Sequence, residues 1–213
     1  KLINDASWSS RWNVTKSAQS KAIGQVFKAI DADAVMIIEA PDTSRNRDGE
    51  RALENFAKYY RLRTTAALTG FTNDTQQEIS LLYDPAKVTA QHTPGGSEKF
   101  PRFDETYHID IDTDATADDI IWSKPPLEVA LETAIGPLRL IGVHAKSKAP
   151  HGAQNDAEAA RMSIENRRKQ LAQCIWLRRR VEQHLDASDS LIVMGDFNDG
   201  PGLDEHEKLF GRS

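Results

Sequence analysis

Residues 190–202 read Ser190-Leu191-Ile192-Val193-Met194-Gly195-Asp196-Phe197-Asn198-Asp199-Gly200-Pro201-Gly202. The apolar run Leu191 to Met194 enters a glycine, then Asp, Phe, Asn and Asp follow before Gly-Pro-Gly stops the segment. A short apolar run bounded by turn residues reads as a buried strand in the middle of a sheet. Acidic and amide side chains delivered at the end of such a strand sit where α/β proteins place ligands. On extended backbone Asp196 and Asn198 share one face and Phe197 takes the other. Read alone, the stretch is equally well a strand running into a polar turn, because Asp, Asn, Gly and Pro are ordinary turn residues. The remainder of the chain decides between these readings.

Upstream, Asp156 to Leu185 is helix-forming throughout, with Leu171, Cys174, Ile175, Val181 and Leu185 as its expected core stripe and most arginines on other faces. Before it, Leu127 to Thr133 alternates as a strand, Gly136-Pro137 turns, and Leu138 to Val143 returns as a hairpin strand ending on His144. Near the start, Ile23, Val26, Phe27 and Ile30 stand at helical spacing within Ser17 to Ile30. The buried run Ala34 to Ile38 follows and ends on Glu39. A helix feeding a strand is the usual α/β unit. Between these lie a helix at Arg51–Tyr60 and strands within Leu62–Thr69 and Glu78–Tyr83, with Lys87–Gln91 as the hairpin partner of the latter. A half-exposed strand is expected at Thr106–Ile111, followed by an acidic loop, Asp112–Asp119. Ile3, Trp8 and Trp12 are expected to dock the N-terminal arm.

The chain has 213 residues, enough for one large domain, and a formal net charge of -5. That balance argues against a protein that coats nucleic acid by bulk charge, while Lys146, Lys148 and Arg45-Asn46-Arg47 leave local basic patches. A lone cysteine, Cys174, excludes an intrachain disulfide and a cysteine-based zinc site. No apolar run approaches the roughly 20 residues that span a bilayer. Neither an internal repeat nor a dividing linker is visible.

Glu39, His144 and Asp196 thus each stand at the end of an expected strand, with Asn198 close behind. A hard divalent cation such as magnesium prefers carboxylate and water oxygens, a role that suits Glu39. Asp196 is able to take a proton from an attacking water or to help hold a metal. The Asn198 amide suits orienting a water or a phosphate oxygen. A protonated His144, with lysines nearby, would neutralise charge developing on phosphate oxygens. The set suits metal-assisted hydrolysis of a phosphoester, where positioning and electrostatics supply most of the catalysis. No nucleophile elbow and no Cys/His pairing is present for covalent catalysis.

Ile37-Ile38-Glu39, Gly142-Val143-His144-Ala145-Lys146-Ser147-Lys148 and Gly195-Asp196-Phe197-Asn198-Asp199 resemble the ordered signature of the endonuclease/exonuclease/phosphatase superfamily. Lys124-Pro125-Pro126-Leu127 is similar to the basic-Pro-Pro segment of some members. The resemblance implies an α/β fold, a four-layer sandwich of two facing mixed β-sheets with helices on the outside. It implies that Glu39 binds magnesium or manganese, that Asp196 activates the water, that Asn198 orients the water or the phosphate, and that His144 stabilises the transition state. Lys124, Lys146 and Lys148 are then expected to bind the substrate, a phosphoester and possibly a nucleic acid, in a monomeric protein.

The family's first strand carries an Asn near the metal, for which Asn4 is a poor match, and its last strand is followed by Ser-Asp-His, a motif in which His206 does not lie. Residues 1–213 are therefore expected to be a single domain without that first strand and that closing segment. Two functions follow from this pattern. One is a magnesium- or manganese-dependent phosphoesterase of nuclease or phosphodiesterase type. The alternative is a catalytically inactive domain of the same fold that binds phosphate groups or a partner.

Overall fold

The computed structural model describes residues 5–9, 13–110 and 117–200. In chain order its elements are α1 (Lys16–Ile30), β1 (Ala34–Ala40), α2 (Gly49–Tyr60), β2 (Ala66–Thr69), β3 (Glu78–Tyr83) and β4 (Val88–His92). Then come β5 (Tyr107–Ile109), β6 (Asp118–Ile120), β7 (Leu127–Thr133), β8 (Gly136–His144), α3 (Asp156–Asp186) and β9 (Leu191–Asp196). The helices start at side-chain caps: Thr15, Asp48 and Asn155 each accept a hydrogen bond from a first-turn N–H. Helices α1 and α2 end on left-handed residues, Asp31 and Arg61.

The first sheet has the order β1-β3-β2 and is antiparallel throughout. The second has the order β4-β7-β8-β9, antiparallel except that β9 runs parallel to β8. Strands β5 and β6 form a separate small pair. Period-2 alternation lets each sheet bury both faces. Ile79 and Leu81 of β3 pack against Leu127, Val129 and Leu131 of β7 and Leu140 of β8, so the two sheets share one core. The outer face of the first sheet, with Ala40 and Leu82, packs on Leu53 and Ala57 of α2. The outer face of the second, with Ile141 and Val143, packs on Ala172, Trp176 and Leu177 of α3. The result is the expected sandwich: helices, sheet, sheet, helix.

Trp176 is fully buried among Phe103, Tyr107 and Trp122, and its indole N–H donates to the Pro101 carbonyl at 3.1 Å. Truncating a residue of this kind costs about 3–5 kcal/mol. Arg180, on the same helix, is buried beside Glu128 at 3.1 Å and donates to the carbonyls of Gly95 and Pro101. It ties α3 to β7 and to the segment before β5.

Several sequence expectations change in three dimensions. The strand at Leu191–Met194 is at an edge of its sheet among the described residues, not in the middle, and Ile192 is exposed. Val88–His92 pairs with β7 in the second sheet rather than with β3, because the turn at Asp84–Lys87 carries the chain from one sheet to the other. Asp118–Ile120, partly assigned to an acidic loop, pairs with Tyr107–Ile109. The α1 stripe is only partly used: Phe27 packs edge-on against Phe56 of α2, whereas Ile23, Val26 and Ile30 are exposed. Helix α1 rests on α2, and the first sheet ends at β1, so little lies beneath the rest of the stripe among the described residues. Trp8 is exposed rather than docked. Asn4, Trp12 and His206 lie outside the described residues.

Candidate functional site

Strand pairing brings the chemistry-bearing residues to one end of the sandwich. β9 runs parallel to β8 with His144 opposite Asp196, so both strands deliver their last residue at the same height. Gly195 makes that close pairing possible. A Cβ on it would lie 2.0 Å from the Val143 carbonyl oxygen, and its φ of 144° is one that side chains rarely adopt. In the facing sheet, β1 bulges between Ile38 and Ala40, and Glu39 takes a left-handed φ of 60°. The bulge re-aims the Glu39 carboxylate into solvent while Ala40 returns to the core. A non-glycine residue held in this conformation is a strain often found at functional sites.

The chain leaves β9 by a side-chain turn rather than on extended backbone. Asn198, at φ 53°, donates its backbone N–H to Asp196 Oδ1 at 2.8 Å, and its side-chain Nδ2 donates to the Ala145 carbonyl at 2.8 Å. Asp196 and Asn198 still face the same side, and Phe197 packs back toward α3.

These residues line one cleft of about 630 Å³, together with Lys124 and Lys146. Lys124 Nζ lies 3.4 Å from Glu39 Oε1 and 3.2 Å from His144 Nδ1. His144 Nε2 faces Asp196 Oδ2 across 3.9 Å, too far for a hydrogen bond. Burial, and then the Lys124 charge, push the His144 imidazolium below its ordinary range, with Asp196 and Glu39 opposing. Relative to a free histidine the shift favours the neutral imidazole, whereas the role read from the sequence uses the cationic form. Lys148 does not line this cleft. It pairs with Asp199 at 2.5 Å on the rim of a neighbouring apolar groove of about 540 Å³, formed with Leu171, Cys174 and Phe197.

Among the described residues, no three His, Cys, Asp or Glu side chains converge as a metal cage. The chemistry of the donors, an exposed Glu39 carboxylate with Asp196 in the same cleft, fits an ion of the magnesium type. Such ions are commonly held by one or two carboxylates, waters and substrate phosphates.

A second set of residues, not singled out from the sequence, holds the site loops in place. Asn166, Gln170 and Gln173 lie on the buried face of α3, in line with Leu177 and Arg180. Asn166 Nδ2 donates to the Ala149 carbonyl at 2.9 Å. Gln170 Nε2 donates to the carbonyls of Phe197 and Asn198, at 2.7 and 3.1 Å. Gln173 accepts from the Lys146 N–H at 2.8 Å and donates to the Ile121 carbonyl at 3.1 Å. The helix is therefore rotated from the stripe read in the sequence: Leu171 and Leu185 are exposed, and an amide row faces inward. The visible signal was the spacing i, i+4, i+7 of those amides, which hydrophobic periodicity passes over. His151, Thr75 and Ser147 also line the cleft and were likewise not named from the sequence.

The family model described as "Endonuclease/Exonuclease/phosphatase family" matches residues 8–212. The chain belongs to the endonuclease/exonuclease/phosphatase family. The activities in that family's name share one reaction, hydrolysis of a phosphoester. Solved structures similar to this family member include a truncated TDP2 from Caenorhabditis elegans, 13% identical, with a TM-score of 0.50 over 86% of this chain and 56% of that one. Another is a D. rerio TDP2 humanized by 14 mutations, 14% identical, with a TM-score of 0.46 over 92% of this chain and 60% of that one. The chain thus spans 60% or less of the length of these structures. At 13% identity and a TM-score of 0.50, the likeness to the C. elegans structure shows the fold alone. A comparison with curated proteins finds no match.

Proposed function

We propose that this family member is a divalent-metal-dependent hydrolase of phosphoester bonds, of nuclease or phosphodiesterase type, using magnesium or manganese. The observation that carries this reading is the meeting of Glu39, Lys124, His144, Asp196 and Asn198 in one cleft. Glu39 would hold the metal through its carboxylate, and the ion when bound would supply charge neutralisation at the phosphoryl oxygens. Asp196 accepts the proton of the attacking water on Oδ2, because Oδ1 already accepts the Asn198 N–H. Asn198 Nδ2 gives one of its two N–H groups to the Ala145 carbonyl, which fixes the amide with its side-chain oxygen Oδ1 able to orient that water. His144 faces the phosphoryl group as it gathers charge. Lys146 gives the cleft the positive potential that an anionic substrate needs, and Lys148 extends that potential along the neighbouring rim. The substrate is a phosphoester, and a nucleic acid is one such anion. Residues 1–213 act as one domain, in a monomer.

A non-catalytic, phosphate-binding role is the second reading. It is favoured by the Lys124 ammonium at the Glu39 carboxylate. Turnover of a chromogenic phosphodiester with magnesium or manganese separates the two. The expected result is metal-dependent hydrolysis that falls about 10²–10⁴-fold in Asp196→Asn with the circular dichroism unchanged. Phosphate binding without any metal-dependent turnover selects the second reading.

A further inference from the structure

A part-buried contact between a lysine and a histidine is unusual, since both groups carry positive charge when protonated. Lys124 is held in place for this contact. Trp122 and both prolines that follow Lys124 are buried, and Gln173 fastens the Ile121 carbonyl just upstream. The Lys124 side chain is largely covered, at 15% exposure, and its ammonium contacts Glu39 Oε1 and His144 Nδ1. A lysine ammonium donates and has no acceptor, whereas a neutral imidazole has one nitrogen of each kind. A donor at 3.2 Å therefore requires His144 Nδ1 to be the acceptor, and the imidazole proton is left on Nε2. That nitrogen points into the cleft toward Asp196 Oδ2 and is too distant to be spent on it.

We infer that Lys124 is a positioning residue: its ammonium, anchored on Glu39, holds His144 as the neutral Nε2–H tautomer, so that His144 offers the cleft a hydrogen-bond donor instead of an acceptor. This deepens the hydrolase reading and rests on it for its catalytic meaning. A donor fixed in direction before substrate arrives stabilises charge gathering on a phosphoryl oxygen without reorganising at the moment of reaction. The wrong tautomer would turn a lone pair toward that oxygen and repel it. Lys124 thus acts through His144, a role different from the direct substrate contact suggested by its place in a basic-Pro-Pro segment. Its tie to Glu39 also links the metal position to the histidine.

The test begins on metal-free protein, with no activity required. Long-range ¹H–¹⁵N spectra at pH 8 report which imidazole nitrogen carries the proton. Wild type and Lys124→Arg are expected to show His144 protonated on Nε2 alone. Lys124→Met, which removes the donor and keeps the apolar stem, is expected to show a mixture of tautomers; Lys124→Ala serves if Lys124→Met fails to fold. Protonation on Nδ1 in wild type overturns the inference, as does an unaltered pure Nε2–H state in a folded Lys124→Met or Lys124→Ala. With a phosphodiester and magnesium, Lys124→Met is expected to lower kcat about tenfold or more with little change in KM, and Lys124→Arg to recover most of it. A rise in KM at constant kcat would make Lys124 a substrate contact and overturn the positioning role. Absence of turnover in wild type refutes the hydrolase reading, while the spectra decide the tautomer independently.

Discussion

Replacing Gln170 with leucine tests whether α3 holds the loop that carries Asn198. The side chain is 7% exposed, and its single Nε2 group serves two carbonyls, Phe197 at 2.7 Å and Asn198 at 3.1 Å. Leucine occupies a similar volume and donates nothing, so packing changes little and the bonds are lost. Two neutral hydrogen bonds at a net contribution of about 1 kcal/mol each set an upper figure of about 2 kcal/mol. Phe197 and Asn198 are only half-buried, so water regains part of that, and apolar replacement of a buried amide offsets a little more. The expected loss is therefore about 1–2 kcal/mol, read as a lower urea midpoint at an unchanged slope. The β8–β9 pairing holds Asp196 independently, so activity is expected to fall through misplacement of Asn198, with substrate binding affected less. A stability change below about 0.5 kcal/mol, the range of an ordinary surface substitution, together with full activity would refute the bracing role.

Three other outcomes follow from the same geometry. Gly195→Ala places a Cβ against the Val143 carbonyl at a φ suited to glycine, and is expected to destabilise the fold by about 2 kcal/mol or more in urea unfolding. Glu39→Gln removes the charge that favours a hard cation, so calorimetry is expected to show weaker magnesium or manganese binding, and equal affinity would count against Glu39 as the ligand. His144 is shifted below the ordinary histidine value of 6.5 by burial and Lys124, and His92 by burial and then Arg102. The folded chain then binds fewer protons than the unfolded chain between the lowered values and 6.5. Stability from these two groups is present above pH 6.5 and is lost as pH falls through that window. Imidazole titration by NMR is expected to give midpoints below 6.5 for both, and a His144 midpoint above that value would contradict the burial argument.

Local patterns in the chain were enough for most elements and for several of the residues that meet in the cleft. The period-2 alternation of Leu127–Thr133 and the apolar runs at Ala34–Ile38 and Leu191–Met194 identify strands because side-chain direction depends on neighbours two residues away. Asp196, Glu39 and His144 were legible because each interrupts an apolar run at its end. Partners across space were not. Whether Val88–His92 joins β3 or β7, and whether β9 lies inside or at the edge of its sheet, depends on which faces meet after long loops close. The buried face of α3 was misread for a related reason. Gln170 and Gln173 are polar in isolation and become interior only because the loops after β8 and β9 bring unpaired backbone groups to meet them. The bulge that turns Glu39 outward and the Lys124–His144 contact exist only once β1, β8 and the segment before β7 are assembled. Residue type and local spacing were enough to pick out side chains suited to phosphoester chemistry. Tertiary structure alone decided which of them meet, because a hydrogen bond depends on distance in space and not on separation along the chain.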